Sequence, residues 1–452
     1  MNLEPFKLTQ DVLEAIKSLI GAQNASELKE FFTDFHYADI AEVVNELDTQ
    51  EALFLIRTLD SERTGDVLTE IDEDQREEML KELSAVEIAT ELAELDTDDA
   101  ADIITELSTE LAQEVISEIE DREHAAEIIE LLRYDENSAG GLMAKELIKV
   151  NENWTVTTCV REMRAQAEYV TRVHSIYVVD NENVLKGRLS LKDLLISPNQ
   201  AHIKDVYIPK VDYVTVNEDP EEVAKIMAKY DLEAIPVVDE MKRLVGRITI
   251  DDIIDVIKEE ADKDYQQMAG ITQDVYADDS ILDLTKARLP WLIVGLLGGL
   301  GAAFIMGTFE AIINEHAILF FFTPLIAAMA GNVGVQSSAI IVQGIANDDI
   351  RGSISARLSK ELLLALLNGF ILAALLFLST WIWKGDVLTA TAVSLSLIAV
   401  IVIAGLIGTF IPLFLNKRGI DPAVATGPFI TTSNDIFGIL IYFWMAKLIL
   451  GL

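Results

Sequence analysis

The sequence predicts a multidomain chain with an acidic all-α helical array, a duplicated α/β unit, a connecting helix and an all-α membrane bundle of five transmembrane helices. Three observations lead there. Charge is split along the 452 residues: 28 basic and 67 acidic side chains lie in 1–289, a net of −39, against 7 and 8 in 290–452. A helical phrase recurs through the first third, and a strand-and-helix block is written twice at one offset in the second. The last third is a series of apolar runs, each long enough to cross ~30 Å of hydrocarbon. Boundaries are expected at 1–136, 137–200, 201–258, 259–288 and 289–452, in keeping with ~100–200 residues per domain.

The composition excludes several classes. A net charge of −40 argues against nucleic-acid partners, because phosphate binding needs surplus Lys and Arg, and it favours cations instead. The single Cys159 rules out a disulfide framework and suits a reducing cytoplasm. The opening MNLEPFKLTQ has no cationic stretch followed by an apolar one, so no cleaved signal peptide is expected.

From 31 to 132, small and apolar positions alternate with Glu and Asp in a phrase of about 11 residues. Ala38-Asp39-Ile40-Ala41-Glu42-Val43-Val44 is echoed by Ala85-Val86-Glu87-Ile88-Ala89-Thr90-Glu91-Leu92, by Asp99-Ala100-Ala101-Asp102-Ile103-Ile104 and by His124-Ala125-Ala126-Glu127-Ile128-Ile129. Helices this short cannot each bury an apolar face alone, so they stack into an array. Residues 1–136 hold 9 basic and 39 acidic side chains, and most of these carboxylates read as solvated helix faces.

The next block is duplicated. Ile176-Tyr177-Val178-Val179-Asp180 returns as Ile235-Pro236-Val237-Val238-Asp239, and Gly187-Arg188-Leu189-Ser190-Leu191-Lys192-Asp193 as Gly246-Arg247-Ile248-Thr249-Ile250-Asp251-Asp252, both at an offset of 59. Apolar strand, acidic turn, Gly, second strand and helix, written twice without a gap, resembles a tandem pair of cystathionine-β-synthase (CBS) domains. Such pairs often bind adenosine nucleotides such as ATP. Each copy has a hydroxyl followed three residues later by Asp, Ser190 with Asp193 and Thr249 with Asp252, a spacing that suits a ribose and equally suits a helix N-cap with its first-turn partner. After the second copy, Asp251, Asp252, Asp255, Glu259, Glu260, Asp262 and Asp264 crowd onto a helix expected to run straight on to Asp283 and the first span. Like charges at that density destabilise a helix unless cations sit between them.

Spans are expected at 289–309, 317–347, 362–383, 387–416 and 422–446. Flanking cations orient them: Lys286, Arg288, Arg351, Arg357, Lys360, Lys417 and Arg418 fall on one side, Lys384 and Lys447 on the other. By the positive-inside rule the richer side is cytoplasmic, with the N-terminus inside and the C-terminus outside the plasma membrane, the inner membrane of a bacterium. The second span carries Pro324 and Gly331-Asn332-Val333-Gly334-Val335-Gln336; the fifth carries Gly427-Pro428 and Thr431-Thr432-Ser433-Asn434-Asp435. Both are expected to be broken helices, which a bilayer tolerates where the freed backbone lines a watery cavity. Asp435 is expected to be the one carboxylate within the spans, and such a group marks an ion path or proton relay. Carboxylate, amide and hydroxyl make a hard, all-oxygen ligand set without Cys or His, suited to magnesium, calcium, manganese, sodium or protons.

With these motifs in hand, the whole chain resembles the MgtE family of magnesium channels. The marks are Gly331-Asn332-Val333-Gly334, Asp421-Pro422-Ala423 and Thr431-Thr432-Ser433-Asn434-Asp435. The resemblance implies a homodimer with a pore between the second and fifth helices of both subunits. Asp435 would hold magnesium there, with Asn332, Gly331, Thr431 and Thr432 lining the path. It also implies regulatory magnesium at Asp98, Asp99 and Asp102, at Asp219, Glu221 and Asp231, and at Asp252, Asp255, Glu260 and Asp264, gating the channel shut when cytosolic magnesium is high.

Rival classes fare worse. Aspartyl intramembrane proteolysis needs two membrane carboxylates, and Asn314-Glu315-His316 lacks the second His of a zinc protease, so no enzyme is expected. A sodium- or proton-coupled divalent-cation transporter is the remaining alternative.

Overall fold

The computed structural model describes residues 6–168, 170, 172–273, 275–276, 279–347, 350, 352–425 and 427–451. Arg351, one of the flanking cations, lies outside the described residues. Two compact units divide the chain, Met1–Ile257 and Lys258–Leu452.

The first unit opens with ten short helices: α1 (Gln10–Gly21), α2 (Ala25–Phe31), α3 (Tyr37–Asn45), α4 (Thr49–Ile56), α5 (Ser61–Glu70), α6 (Glu73–Glu82), α7 (Ala85–Leu92), α8 (Thr97–Thr105), α9 (Thr109–Glu118) and α10 (Arg122–Leu131). From α3 to α9 a helix starts every 12 residues, not about 11, because each repeat includes its turn and its N-cap. The caps explain part of the acidic excess. Asp48, Asp60, Asp72, Asp96 and Asp121 all stand at N-cap positions, and Asp48 and Ser84 form full capping boxes with Glu51 and Glu87. Odd-numbered helices α3, α5, α7 and α9 stack in one row, with α4 on α6 and α8 on α10 in the other. Ile40, Val44, Leu55, Ile88, Leu92 and Ile103 are buried between the rows. Ion pairs cross between repeats, Arg57 with Glu87 and Arg76 with Glu106. The second is mostly buried: Arg76 Nε donates to both Glu106 oxygens at 3.0 Å, and Nη1 reaches the carbonyls of Leu68, Thr69 and Ile71.

The duplicated block forms two three-stranded sheets. In the first, β1 (Ile148–Asn151) pairs parallel with β2 (Ile176–Val179), which pairs antiparallel with β3 (Leu185–Leu189). In the second, β4 (Val214–Thr215), β5 (Ala234–Val238) and β6 (Leu244–Thr249) repeat that order, and the register shifts at the equivalent place, Val178/Val179 and Val237/Val238. Pro236 is tolerated in the central strand because the two-residue β4 reaches only Val237 and Val238. Helices α11 (Val156–Gln166) and α13 (Pro220–Tyr230) cross over, and α12 (Leu191–Ile196) and α14 (Ile250–Ala269) follow the last strands. The array core is continuous with that of the second copy through Val214, Val223, Ile235, Ile248 and Ile253, whereas the first copy keeps a separate core.

The connecting segment departs from expectation. Instead of one helix through 259–288, α14 stops at Ala269, and eleven residues separate it from the next helix, α15 (Ile281–Thr308). Gly270 ends α14 with φ +83°, and a β-carbon there would stand 2.4 Å from Pro428 Cγ. The loop is tied down: Thr272 N and Oγ1 both donate to Ala287 O at 3.0 Å, and the Gln266 side chain bonds both backbone groups of Val275.

After α15 come α16 (Glu310–Glu315), α17 (Ile318–Ala346), α18 (Ile354–Lys384), α19 (Val387–Asn416) and α20 (Gly427–Leu450). Five of these are long and apolar enough to cross a membrane, α15, α17, α18, α19 and α20. Neither expected break occurs. Helix α17 runs unbroken past Pro324 and its glycines, and α20 begins at Gly427 and continues through Asp435. The glycines serve close packing instead, as small residues do in membrane bundles: a β-carbon on Gly408 would meet Gly334 O at 2.4 Å, and one on Gly334 would meet Asn434 Nδ2 at 1.8 Å. Helix α19 is the central one, packed on α17, α18 and α20.

Removing one partner of a mostly buried ion pair strands the other, so Arg76→Ala is expected to destabilise the first unit by about 3 kcal/mol. Lys81→Ala, which breaks an exposed pair with Glu77, is expected to leave stability unchanged. Calorimetric melting of both variants checks the contrast.

Candidate functional site

Between α17 and α20 lies an open cleft of about 490 Å³ lined by Ala327, Ala328, Gly331, Asn332, Val335, Gln336, Thr431 and Asp435. Its polar members share one face of each helix: Asn332 and Gln336 are four apart on α17, Thr431 and Asp435 four apart on α20. Gly331 faces the same side chains: a β-carbon there would stand in ordinary contact, 3.4 Å from Thr431 Cγ2 and 3.9 Å from Asp435 Oδ1. Thr431 Oγ1 donates to Gly427 O at 3.0 Å, which leaves the oxygen's lone pairs available to accept. Asp435 is half-buried and has no hydrogen-bond or ion-pair partner among the described residues. The cleft thus assembles carboxylate, amide and hydroxyl oxygens, the donor set of a hard cation. Of the five expected pore residues, four line it. Thr432 turns to the first span, where its Cγ2 would stand 1.9 Å from a β-carbon on Gly298.

Asp435 is not the only carboxylate among the spans. Glu361 lies in α18, and its Oε1 accepts from Ser337 Oγ of α17 at 2.7 Å. The sequence hides it because Lys360 and Glu361 look like an interfacial charge pair just before the apolar run.

A second acidic group sits in the first unit, where α8 meets the start of α14. Asp96 would ordinarily cap α8, but its carboxylate pairs instead with the buried Arg247 Nη2 at 3.1 Å. Asp96, Asp98 and Glu146 bring carboxylate oxygens within 4.8 Å of one another. Glu146 accepts from Thr97 N and Oγ1 at 3.2 and 2.9 Å, and Asp98 accepts from Asp99 N at 3.0 Å. Across from them Asp252 accepts from Thr249 N and Oγ1 at 2.8 and 2.7 Å. Burial, then the facing Asp252 and the neighbouring Asp99, push the Asp98 carboxyl well above the usual range. Burial and Asp252 push Asp99 up to about 8; Asp252 is raised to about 6 by burial, against the pull of Thr249; Asp102, more open to solvent, is raised to about 7 by partial burial and Glu136. Carboxylates held this close, with Arg247 beside Asp96, are the arrangement a divalent cation relieves. Asp98, Asp99 and Asp102, expected as one group, stand together, and Asp252, expected with Asp255, Glu260 and Asp264, faces them instead; Asp96 and Glu146 were not among the expected residues. Asp96 stands at the N-cap of α8 and Glu146 lies 48 residues from Asp98 in sequence, so no local pattern links them.

The other expected regulatory residues are spread out. Asp219 caps α13 and accepts from Glu221 N at 2.9 Å, Glu221 pairs with Lys225, and Asp231 stands at the opposite end of that helix with φ +50°. Asp255, Glu260 and Asp264 lie along α14, with Glu260 paired to Lys263. The two hydroxyl–Asp pairs differ. Thr249 is buried and donates both its backbone N–H and its hydroxyl to Asp252, whereas Ser190 stands at the N-cap of α12 without a capping hydrogen bond.

Sequence profiles cover most of the chain. The MgtE divalent cation transporter profile matches residues 323–445, the MgtE intracellular N domain 35–137, and the CBS domain 139–198 and 203–259. The chain is 37% identical over 327 residues to the magnesium transporter MgtE of Enterococcus faecalis, covering 72% of each, and 36% identical over 333 residues to that of Thermus thermophilus, covering 73% and 74%. Two solved structures align with the soluble part. One is the cytosolic domain of the magnesium channel MgtE in complex with ATP, at TM-score 0.51 and 34% identity over 54% of this chain and 99% of that one. The other is the soluble part of a magnesium transporter, at TM-score 0.50 and 32% identity over 56% and 99%.

The raised carboxyls predict a pH dependence with a defined sign. Below the unfolded value of about 4 they are protonated in both states, and their stabilising contribution is fully present. As pH rises through the folded values, about 6 for Asp252 and about 8 for Asp99, that contribution is lost. In chelator, the melting temperature of the chain should fall from about pH 5 to about pH 8, and magnesium should restore it most at the upper end. A melting temperature that is flat in chelator over that window would count against the electrostatic reading of the group.

Proposed function

The chain belongs to the MgtE family of multi-pass membrane transporters, and on that premise we propose that it is a homodimeric channel admitting magnesium to the cytoplasm past Asp435. The observation that carries this reading is the α17–α20 cleft, where an unpaired carboxylate faces two side-chain amides and a hydroxyl. Magnesium gives up its water reluctantly and is commonly held through its hydration shell by one or two carboxylates. One Asp435 from each subunit, facing across a twofold axis, meets that need. Lys286, Arg288, Arg357, Lys360, Lys417 and Arg418 flank the spans on one side, which supports a cytoplasmic N-terminus and an external C-terminus.

Gating follows from the acids. At low cytosolic magnesium, the facing carboxylates of α8 and α14 repel within less than the ~8 Å over which cellular salt screens charge, and the array is loosened from the second CBS copy. Magnesium bridging Asp98, Asp99 and Asp252, with further ions at Asp255, Glu260 and Asp264, fixes the soluble parts in one arrangement and biases the closed state. Adenosine nucleotide belongs at the first copy, where the Ser190 hydroxyl is not used in capping; the Thr249–Asp252 pair is closed on itself.

The deciding experiment is patch-clamp recording with magnesium as the only permeant cation. Currents should follow the magnesium gradient, shut as cytosolic-side magnesium rises, and vanish in Asp435→Ala. Uptake that instead requires a sodium or proton gradient would replace the channel with a coupled transporter. Asp255→Asn with Asp264→Asn should leave conduction intact and raise the magnesium needed for half inhibition by about tenfold, the scale of a typical coupling energy; unchanged inhibition would count against the gating scheme.

A further inference from the structure

Glu361 has no role in the scheme above, yet its position is specific. It is the eighth residue of α18, about 10 Å along that helix, and Asp435 lies about 12 Å along α20 from the same side. A carboxylate among apolar helices is retained where it has work to do. Its Oε1 takes the Ser337 hydroxyl at 2.7 Å, and no cation pairs with it among the described residues. Room for the carboxylate is made by a glycine: a β-carbon on Gly405 of α19 would stand 2.7 Å from Oε1.

Ser337 is buried on the back of α17. It is one residue from Gln336 and five from Asn332, which at 100° per residue puts it about 100° and 140° around the helix from those two cleft amides. One turn back, Gly334 is gripped between Gly408 of α19 and Asn434 of α20. Packing at Gly334 sets how near α17 lies to its neighbours, and the hydrogen bond at Ser337 adds a directional constraint.

We propose that Glu361 is a positioning residue for the cation path: through Ser337 it fixes the rotation of α17 that aims Asn332 and Gln336 into the cleft beside Asp435. This rests on the reading of that cleft as the magnesium path.

The test compares Glu361→Gln, Glu361→Ala and Ser337→Ala with wild type in magnesium currents. Glu361→Gln keeps an Oε1 acceptor and should behave as wild type. Glu361→Ala and Ser337→Ala should each raise the magnesium concentration for half-maximal current several-fold and admit potassium, while amount and melting temperature in detergent stay close to wild type. The double alanine variant should be no worse than the worse single one, because the two share one interaction. Ser337→Ala, a loss of one oxygen, keeps the test sound if Glu361→Ala does not fold. Wild-type selectivity in Ser337→Ala, or impairment of Glu361→Gln equal to that of Glu361→Ala, would overturn the proposal. If wild type carries no magnesium current, the functional reading fails on its own account. The rotation is then decided by a hydrophilic thiol reagent on Gln336→Cys, since the native Cys159 is buried. Its reaction rate should change several-fold when Ser337→Ala is added, and an unchanged rate would overturn the proposal.

Discussion

The interaction on which the rest depends is the repulsion between carboxylates that folding itself brings together in the first unit. Oxygens of Asp96, Asp98 and Glu146 lie within 4.8 Å, and two unit charges near that separation repel by about 3 kcal/mol at an effective dielectric of 20. Among the described residues Arg247 pairs with Asp96; burial and then the neighbouring carboxylates raise Asp98 and Asp99, and burial raises Asp252. Apolar contacts between the array and the second CBS copy press the two surfaces together while the charges push them apart. That balance makes the junction responsive to a divalent cation.

The membrane bundle solves a different problem. Its helices gain little from apolar contact with one another, because lipid tails are equally apolar, so they rely on close approach and a few polar ties. Gly334 and Gly408 bring the backbones of α17 and α19 together, Gly334 and Gly405 make room for the Asn434 and Glu361 side chains, and the Ser337–Glu361 hydrogen bond adds direction. Asp435 is left facing the open cleft with no partner among the described residues. The same arrangement that satisfies packing leaves one carboxylate free for a cation.

Much of this was legible in the sequence, and the misses have physical causes. The 59-residue duplication is carried by strand and turn residues that must recur for the sheet to form, and both copies share even their register shift. The five spans follow from apolar length alone. Gly331 and Gly334 suggested a broken α17, because sequence does not reveal whether a glycine frees the backbone or admits a neighbour; here the neighbours are Thr431, Asn434 and Gly408. The straight connecting helix ends at Gly270, which is left-handed and packs too close to Pro428, 158 residues away, to admit a β-carbon. Asp435 was legible because it stands alone in an apolar run. Glu361 was not, because a charge at the edge of such a run looks interfacial until a partner helix is seen to reach it.

The central claim is that magnesium draws α8 onto the start of α14. Amide hydrogen exchange of residues 96–102 and 249–256 in the full-length protein, in chelator and in magnesium near pH 8, tests it most directly. The account predicts that both segments gain protection together as magnesium is added, and that Asp98→Asn with Asp99→Asn gives that protection without the metal. Exchange that stays unchanged in both segments while magnesium still closes the current would contradict it.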